Sequence, residues 1–581
     1  MPKMLKVWNL GNTTIRNPNR IELGLRLFAE EFQGNVHGQE NENRFARRLT
    51  EEGVVDSEGS YSDLLGRKWR SVLVKLGFAT TRIYRTDKDK FTTTILAKQR
   101  PELNLKGLEY ELTPAGQRLI NANTVGAVQD VFLRQLVCHE LPSPIEGPFP
   151  EGRLKPFIFL LQVLNELRTQ NTEGLNILET AIFLQLFRNH TNEEVEHTVK
   201  RILNFREKRD ELEDQRAKRI FDEAQRLETA RLGNVASNTL VDYADTTFRY
   251  VKMSGLVTQL GSRLILRDNR MPIIRALLEN EPIFLAEGNP FAYLADFYTG
   301  TSLPTDNVEF ALQEVQRLSA ELKKYNRLPE LNVTALTSTS AIQDIEQVRY
   351  RLIEQLGWAR EEEFATNQAK KDSLMEILAY LEAIESPSKS KQVGILDRPA
   401  YLEWLIWRSF LAIDRIVVEI HETRRFPLDE DLYPRHPAPG GGADMIFEFE
   451  DYVLVVEVTL TSSSRQEAAE GEPVRRHVAT VKEKTAKDVY AVFIAPTIDN
   501  NTAETFRIGV WYRGDQEDFV NIVPLTLKQF QKIIEALLQW RYTPKDIQQL
   551  LDRCLAYRNA RAPEWKRMIE TETGRWIKQL K

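Results

Sequence analysis

Two acidic residues near the C-terminal end of the chain are spaced so that they could lie side by side. DMIFEFE is followed by DYVLVVEVTLT, and both runs have the apolar character of β-strands. If Glu450 and Asp451 form the turn of a tight hairpin, Asp444 and Glu457 each lie six residues from that turn, on opposite strands. Directly opposed residues have Cβ atoms roughly 5 Å apart, and a slip of one residue would separate them. We therefore expect the two carboxylates to share one face of a hairpin.

Two carboxylates held this close repel each other, so a shared proton or a cation must compensate. Mg²⁺ suits the pair because it prefers oxygen ligands and keeps several of its waters. Glu457 lies in the apolar run VLVVEV, where an unpaired buried charge would be costly. The alternative is a Glu that pairs with an Arg or faces solvent from an edge strand. The sequence predicts a Mg²⁺ site at Asp444 and Glu457, with the Val458 carbonyl as a further ligand.

The spacing of these acids also matches the PD-(D/E)xK nuclease pattern, in which a Lys follows the second acid by two residues. Thr459 occupies the Lys position here. Because that Lys positions or activates the attacking water, other residues must complete the site. The segment that follows offers substitutes for the Lys, namely Glu472, Arg475, Arg476, His477, Lys482 and Lys484, and among these we predict Glu472 and His477 as further catalytic residues. A surface Glu in a salt bridge and a structural His remain the alternatives.

The length, composition and net charge of the chain limit the classes of protein to which it can belong. A chain of 581 residues is too long for one core and predicts two to four domains. The first residues lack the apolar core of a signal peptide, and no run approaches 18 apolar residues, so we expect no membrane association. The isolated Cys138 and Cys554 favour a reducing, intracellular compartment. The formal net charge of -6 excludes uniform coating of nucleic acid but not a local DNA-binding surface.

Residues 61–100 form such a basic region, with ten Lys and Arg against three Asp, a local balance of +7. The helix-like run YSDLLGRKWRSVLVKLG is followed by FTTTILAK and LEYELTPAG, the pattern of a winged helix whose basic helix reads DNA. Arg67, Lys68 and Arg70 are the candidate DNA contacts on that helix. DYADTTFRYVKMSGLVTQLGSRLILRDN predicts a second unit, with a helix, a break at Gly255 and two strands around Gly261. Small packing modules without DNA contact are the alternative.

The fold class that follows is multidomain α+β, with winged-helix-like DNA-recognition domains, a helical linker and a C-terminal α/β nuclease domain of the PD-(D/E)xK type. Charged helical segments between 307 and 385 predict the linker, and SPSKSKQVG predicts a break after it. The predicted divisions are 1–140 and 141–285 for DNA recognition, 286–390 for the linker and 391–581 for cleavage.

The chain resembles the AlwI family of type IIS restriction endonucleases, which includes BstNBI-like nicking enzymes, over nearly its full length. The resemblance rests on the order and spacing of several segments. These are the Arg16-Asn17-Pro18 region, LTPAG, TTFRYVKMSGLV, EWLIW, GGADM, VVEVT, EPVRRH and FIAP.

The resemblance implies that the N-terminal half reads a short asymmetric duplex site, with Arg16 among its DNA contacts. It also implies that the C-terminal domain cleaves at a fixed distance outside that site, with Glu403, Asp444, Glu457 and Glu472 as its acids. The family has Thr at the position of Thr459. We expect a prokaryotic, cytoplasmic enzyme that nicks one strand, or cuts both strands as a homodimer or with a small subunit. The alternatives are a DNA-binding protein with an inactive nuclease-like domain and a helical scaffold.

Overall fold

The computed structural model describes residues 6–33, 38–55, 64–81, 110–146, 149–172, 174–395, 397–413, 415–462 and 465–580. The chain divides into two units, Met1–Glu354 and Gln355–Lys581. The division into four parts, at residues 140, 285 and 390, is finer than this and stays a prediction. Among the described residues, no helix combines the length and the apolar character needed to cross a membrane.

In its described residues, the first unit is built mainly of helices, with five short strands. The helices are α1 Ile21–Leu27, α2 Gln39–Glu51, α3 Leu65–Lys75, α4 Pro114–Asn121, α5 Val125–Cys138, α6 Pro156–Thr169, α7 Ile177–Phe183, α8 Asn192–Asp210, α9 Gln215–Gly233, α10 Ser237–Lys252, α11 Met271–Leu278, α12 Pro290–Thr299, α13 Val308–Lys324 and α14 Ile342–Thr366, the last of which continues past residue 354. The strands are β1 Ala79–Thr81, β2 Tyr110–Leu112, β3 Leu175–Asn176, β4 Val257–Leu260 and β5 Arg263–Leu266.

The first predicted DNA-recognition segment contains helix α3, a two-stranded antiparallel ladder of β1 and β2, and helix α4. Strand β2 leads into α4 through Thr113-Pro114, and the Thr113 hydroxyl caps α4 by accepting the Gly116 amide at 3.0 Å. The predicted strand FTTTILAK lies outside the described residues.

The second predicted segment has the expected order of elements. Helix α10 is followed by Gly255, whose φ of +68° is a conformation that glycine adopts without strain. Strands β4 and β5 then pair antiparallel around Gly261, and β3 pairs with β5 to make a three-stranded sheet in the order β3-β5-β4. The predicted helix, glycine break and hairpin are therefore confirmed.

The second unit combines helices with a mixed sheet. After α14 come α15 Lys371–Ile384, α16 Pro387–Gln392, α17 Arg398–Leu411, β6 Met445–Glu448, β7 Tyr452–Val458, α18 Glu472–Lys482, β8 Asp488–Ala495, α19 Asn500–Ile508, β9 Val510–Arg513, β10 Gln516–Phe519, β11 Asn521–Thr526, α20 Leu527–Ala536, α21 Pro544–Ala556 and α22 Ala562–Gln579. At SPSKSKQVG, where a break is predicted, α15 ends at Ile384 and the short helix α16 begins at Pro387, with Ser386 capping it by accepting the Lys389 amide. The domain boundary placed there stays a prediction.

The four-stranded sheet has the order β11-β8-β7-β6, with β7 and β11 parallel to β8 and β6 antiparallel to β7. Met445 pairs with Val456 and Glu448 with Val453, so the turn falls at Glu450 and Asp451 as predicted. Residues 452–457 of β7 are all buried, as expected for a central strand covered on both faces. Phe410 of α17 packs on Phe447 of β6 with ring centroids 5.0 Å apart.

Candidate active site

The register of the β6-β7 hairpin brings Asp444 to the end of β7. Asp444 directly precedes β6, and its Oδ2 accepts the amide N–H of Val458 at 2.9 Å. This bond ties the carboxylate to the last residue of the neighbouring strand, one position after Glu457. The β6-β7 hairpin therefore has the register that the predicted pairing of Asp444 with Glu457 requires. The contact shown for Val458 is through its amide, and its carbonyl as a metal ligand stays a prediction.

Glu457 is a buried acid in an otherwise apolar strand, with 6% of its surface exposed. Its Oε1 is hydrogen-bonded to Nδ1 of His477, on helix α18, at 2.7 Å. The other ring nitrogen, Nε2, is buried without a hydrogen-bond partner in the described part of the chain. A structural role for His477 is the alternative that the sequence leaves open. The structure places the ring against the proposed metal ligand, with its second nitrogen available to another group.

Glu403 reaches the same region from helix α17. Asp397 caps that helix by accepting the Ala400 amide, and Glu403 follows on its buried face. Its Oε2 accepts the Ala438 amide at 2.7 Å, from the loop that leads to Asp444. The Asp444 charge is, after burial, the largest influence that raises the pKa of Glu403, so the two carboxylates are electrostatic neighbours.

The segment between β7 and α18 places Glu470 in the acid cluster, where the sequence had favoured Glu472. Residues Glu467–Gly471 form a π-helical turn, a distortion that often accompanies functional sites. Glu470 raises the pKa of Glu457 and accepts a hydrogen bond from Thr459, the residue at the usual Lys position. Glu472 instead pairs with Arg476 at 3.0 Å and leaves 55% of its side chain exposed. Its predicted catalytic role has no support from this geometry.

The charges of this cluster are not balanced by the residues around it. In the part of the chain that the structure describes, none of Glu403, Asp444, Glu457 and Glu470 forms an ion pair with Arg or Lys. Burial and the neighbouring carboxylates raise the pKa of Glu403 and Asp444 well above their ordinary values, and burial and Glu470 raise that of Glu457 to about 8. Burial lowers the pKa of His477, so the ring is not a permanent counter-charge.

A divalent cation would remove this imbalance. Within the described residues, no three His, Cys, Asp or Glu side chains form a group that could hold a metal ion. Mg²⁺ does not require three, since it commonly binds through one or two carboxylates and completes its shell with water. Asp444 and Glu457 provide that donor chemistry, and the unbalanced charge gives a reason for a cation to bind there. Buried, unpaired carboxylates at one end of a mixed sheet define a candidate site for metal-dependent hydrolysis.

The predicted DNA contacts of the first unit differ in how they are placed. Arg67 is exposed on α3, and Lys68 beside it donates to the Thr14 hydroxyl at 2.7 Å. Arg70 pairs with Glu42 at 2.7 Å and leaves only 15% of its side chain exposed. Arg16 pairs with Asp242 at 2.6 Å. Arg67 and Lys68 therefore remain the better placed candidates on α3, whereas Arg70 has a structural partner.

Comparison with known proteins identifies the family. A family model described as AlwI restriction endonuclease matches residues 75–533, well over half of the chain. The chain belongs to the AlwI restriction endonuclease family. Membership makes it a nuclease that acts on DNA.

Two other comparisons add little to this. The small subunit of the heterodimeric restriction endonuclease R.BspD6I is similar at 23% sequence identity, over 35% of this chain and 98% of that subunit, with a TM-score of 0.29. A likeness this low carries no conclusion about architecture or mechanism. A search of curated proteins found no match.

Proposed function

We propose that the protein is a type IIS restriction endonuclease that hydrolyses one phosphodiester bond per active site with Mg²⁺. The observation that carries the proposal is the cluster of buried acids around Asp444 and Glu457, which no Arg or Lys of the described chain neutralises. Such a cluster is expensive unless a cation binds, because like charges in a dehydrated site disfavour one another. Because the chain belongs to a family of DNA nucleases, a divalent cation bound by these acids would both balance their charge and serve the hydrolysis of DNA.

Asp444 and Glu457 would hold the cation in this proposal, with the Val458 carbonyl as a further ligand. When bound, Mg²⁺ supplies Lewis-acid stabilisation of the charge that develops on the phosphate. The hydrogen bond to Val458 N–H orients Asp444, and that to His477 orients Glu457. Glu403 and Glu470 approach from α17 and the π-helical turn, where their carboxylates can accept hydrogen bonds from ordered water.

His477 has the geometry of a general base. With Glu457 ionised and the ring neutral, Nδ1–H donates to Glu457 Oε1 and Nε2 becomes the acceptor. Since Nε2 is buried and has no hydrogen-bond partner in the described structure, it can accept a proton from the attacking water. Burial lowers the pKa of His477, which favours the neutral ring that this step needs. His477 thereby replaces the Lys that the PD-(D/E)xK pattern would place at Thr459.

The first unit would read the DNA site in this proposal. Its two helix-and-hairpin segments, α3 with β1 and β2 and α10 with β3, β4 and β5, have strand pairings compatible with winged helices. The exposed Arg67 and the neighbouring Lys68 are placed on α3 for contact with bases or phosphates. The described part of the chain holds one such acid cluster, which favours nicking by a single copy, so double-strand cleavage would need a second copy or a separate subunit.

A supercoiled plasmid incubated with the protein and Mg²⁺ tests the proposal. We expect open circles if one strand is cut and linear DNA if a second copy or subunit completes the break. Run-off sequencing of the product should place the cut outside a single asymmetric site, at a constant distance from it. No nicking or cutting with Mg²⁺ or Mn²⁺ would contradict the enzyme and favour a DNA-binding protein with an inactive domain. In that case a gel shift would still show specific binding.

A further inference from the structure

One cation lies near the catalytic acids without pairing with any of them. Arg425 follows the short helical turn Ile420–Thr423, in an extended segment that runs beside Asp444. Its amide donates to the Asp444 carbonyl at 3.1 Å, and the preceding Arg424 forms an antiparallel bridge with Met445. The backbone therefore fixes Arg425 next to the residue that begins the metal-binding hairpin.

The guanidinium of Arg425 is not satisfied by the residues around it. Its Nη2 makes a long contact of 3.4 Å to the Gly440 carbonyl, and its Nη1 is buried without a hydrogen-bond partner among the residues that the structure describes. Arg424, one residue earlier, has the opposite character: it forms a bidentate pair with Glu361 and donates to the Phe426 carbonyl. A charged donor that is buried and unpaired costs more than a neutral one, so such a group is expected where a ligand completes it.

The glycine-rich loop before Asp444 is shaped around this side chain. A Cβ atom added at Gly442 would lie 2.5 Å from Nη1 of Arg425 and 2.9 Å from its Cζ, which is closer than side chains approach. A Cβ added at Gly440 would meet nothing within 4 Å. A side chain at residue 442 would therefore displace the guanidinium, whereas one at residue 440 would not.

The positive charge of Arg425 acts on residues inside the acid cluster. It lowers the pKa of Glu457 and also that of His477, so its field extends to both residues at the proposed catalytic centre. It nevertheless forms no ion pair with any of the acids. A cation that only balanced the carboxylates would be expected to contact one of them.

We propose that Nη1 of Arg425 donates a hydrogen bond to a non-bridging oxygen of the scissile phosphate. A guanidinium matches the geometry of phosphate oxygens and stays charged at every working pH. In this role Arg425 is a catalytic residue. From a distant segment of the chain it supplies the positive charge that a Lys in place of Thr459 would provide. The proposal rests on the nuclease function proposed above and adds to it the residue that contacts the substrate phosphate.

Substitution of Arg425 in the full-length protein provides the first test. Arg425→Met should slow single-turnover cleavage of a specific duplex by about 100-fold, the usual effect of losing one donor to a developing charge. Arg425→Lys should recover part of that loss. Affinity for the duplex, measured by gel shift with Ca²⁺ in place of Mg²⁺, should change by less than about threefold, because a single phosphate contact is a small part of specific binding.

A stereochemical readout separates substrate contact from a structural role. Duplexes with sulfur in place of either non-bridging oxygen at the cut site probe the two oxygens separately. For the oxygen that Arg425 contacts, Arg425→Met should bring the ratio of oxygen to sulfur cleavage rates close to 1, while the ratio for the other oxygen keeps its wild-type value. Unchanged ratios for both oxygens would overturn the proposal, even if the variant is slow.

Gly442→Ala gives an independent route to the same result, with Gly440→Ala as the matched control. The Cβ at residue 442 should displace the guanidinium and slow cleavage by about tenfold, while Gly440→Ala stays near the wild-type rate. In the Arg425→Met background, Gly442→Ala should add less than a twofold loss. Full activity of both Arg425→Met and Gly442→Ala overturns the role of Arg425 but leaves the nuclease intact. A wild-type protein that cleaves no DNA overturns both proposals.

Discussion

Two buried glutamates, one in each unit, show opposite solutions to the same electrostatic problem. Glu179 in the first unit has only 2% of its side chain exposed and is surrounded by donors. Arg206 donates to both of its oxygens at 2.8 and 2.9 Å, Arg263 donates at 3.1 Å and the Asn176 amide at 3.0 Å. Glu457 in the second unit is similarly buried, but in the described part of the chain it has no Arg or Lys partner, and the imidazole of His477 lies 2.7 Å from its Oε1.

The difference distinguishes an acid that serves the fold from one kept for a ligand. A buried carboxylate is tolerated when cations and amides satisfy it, as they do around Glu179. Glu457 lies among other acids, and its pKa rises to about 8 because burial and Glu470 disfavour its charge. Under the proposed function, an external positive charge completes its environment. Burial alone therefore does not identify a functional acid, whereas burial beside other acids and without a cationic partner makes an acid a candidate for function.

The largest expected effect is the loss of DNA cleavage when an acid of the cluster that lacks an Arg or Lys partner is replaced. Asp444→Asn should reduce cleavage by about 10³-fold or more, because an amide is a poor Mg²⁺ ligand and the charge that holds the ion is lost. Plasmid nicking measures the rate, and a gel shift should show unchanged specific binding. Asp451→Asn, at the exposed turn of the same hairpin, is the matched control and should keep the wild-type rate. Retained activity in Asp444→Asn would refute the metal-site assignment.

The second prediction compares the two glutamates by stability. Glu179→Gln should lower the free energy of unfolding by about 3 kcal/mol, because Arg206 and Arg263 lose their buried counter-charge. Glu457→Gln, measured without divalent cations, should raise it by about 1 kcal/mol, since it relieves repulsion among the acids. Urea denaturation in EDTA measures both changes. If the two variants change stability in the same direction, the contrast between paired and unpaired acids is wrong.

A buried histidine of the first unit gives the next test, through pH. Burial lowers the pKa of His139 to about 4; Glu146, 3.7 Å away, opposes this shift, while Lys75 and Lys155 add to it. The folded state then binds fewer protons than the unfolded state, so the stability from neutral His139 is present above pH 6.5 and lost as the pH falls toward 4. From pH 7 to pH 5 the loss should be about 2 kcal/mol.

The matched variant for this test is His139→Phe, which keeps an aromatic ring but does not titrate. The difference between wild type and variant in urea denaturation, followed from pH 7 to pH 5, isolates the contribution of His139. The wild type should lose more stability than the variant on acidification. Parallel curves would show that His139 is protonated as easily in the fold as in the unfolded chain.

The sequence was sufficient for the part of the site that depends on local pairing. Once Glu450 and Asp451 are taken as the turn, the alternation of the strands sets the register, and the observed pairing of Met445 with Val456 agrees. Arg425 could not be found in this way. It reaches Asp444 through a long-range backbone contact, in an extended segment with no periodic pattern.

The choice between Glu470 and Glu472 did have a signal in the sequence. Glu470 precedes His477 by seven residues, about two helical turns, so the two share a face, whereas Glu472 is five residues away and points elsewhere. Glu472 is also four residues before Arg476, the spacing of a surface ion pair, and the structure shows that pair. The exact orientation of Glu470 still depends on the π-helical turn Glu467–Gly471, which helical periodicity does not predict.

The smallest expected effect tests this choice directly. Glu470→Gln should slow single-turnover cleavage by about tenfold, because the amide keeps the shape of the side chain but removes a negative charge next to Glu457. Glu472→Gln should stay within about twofold of the wild-type rate, since it breaks only an exposed ion pair with Arg476. Equal rates for the two variants would remove Glu470 from the site. A larger loss in Glu472→Gln would restore the original assignment and would require α18 to rotate when DNA binds.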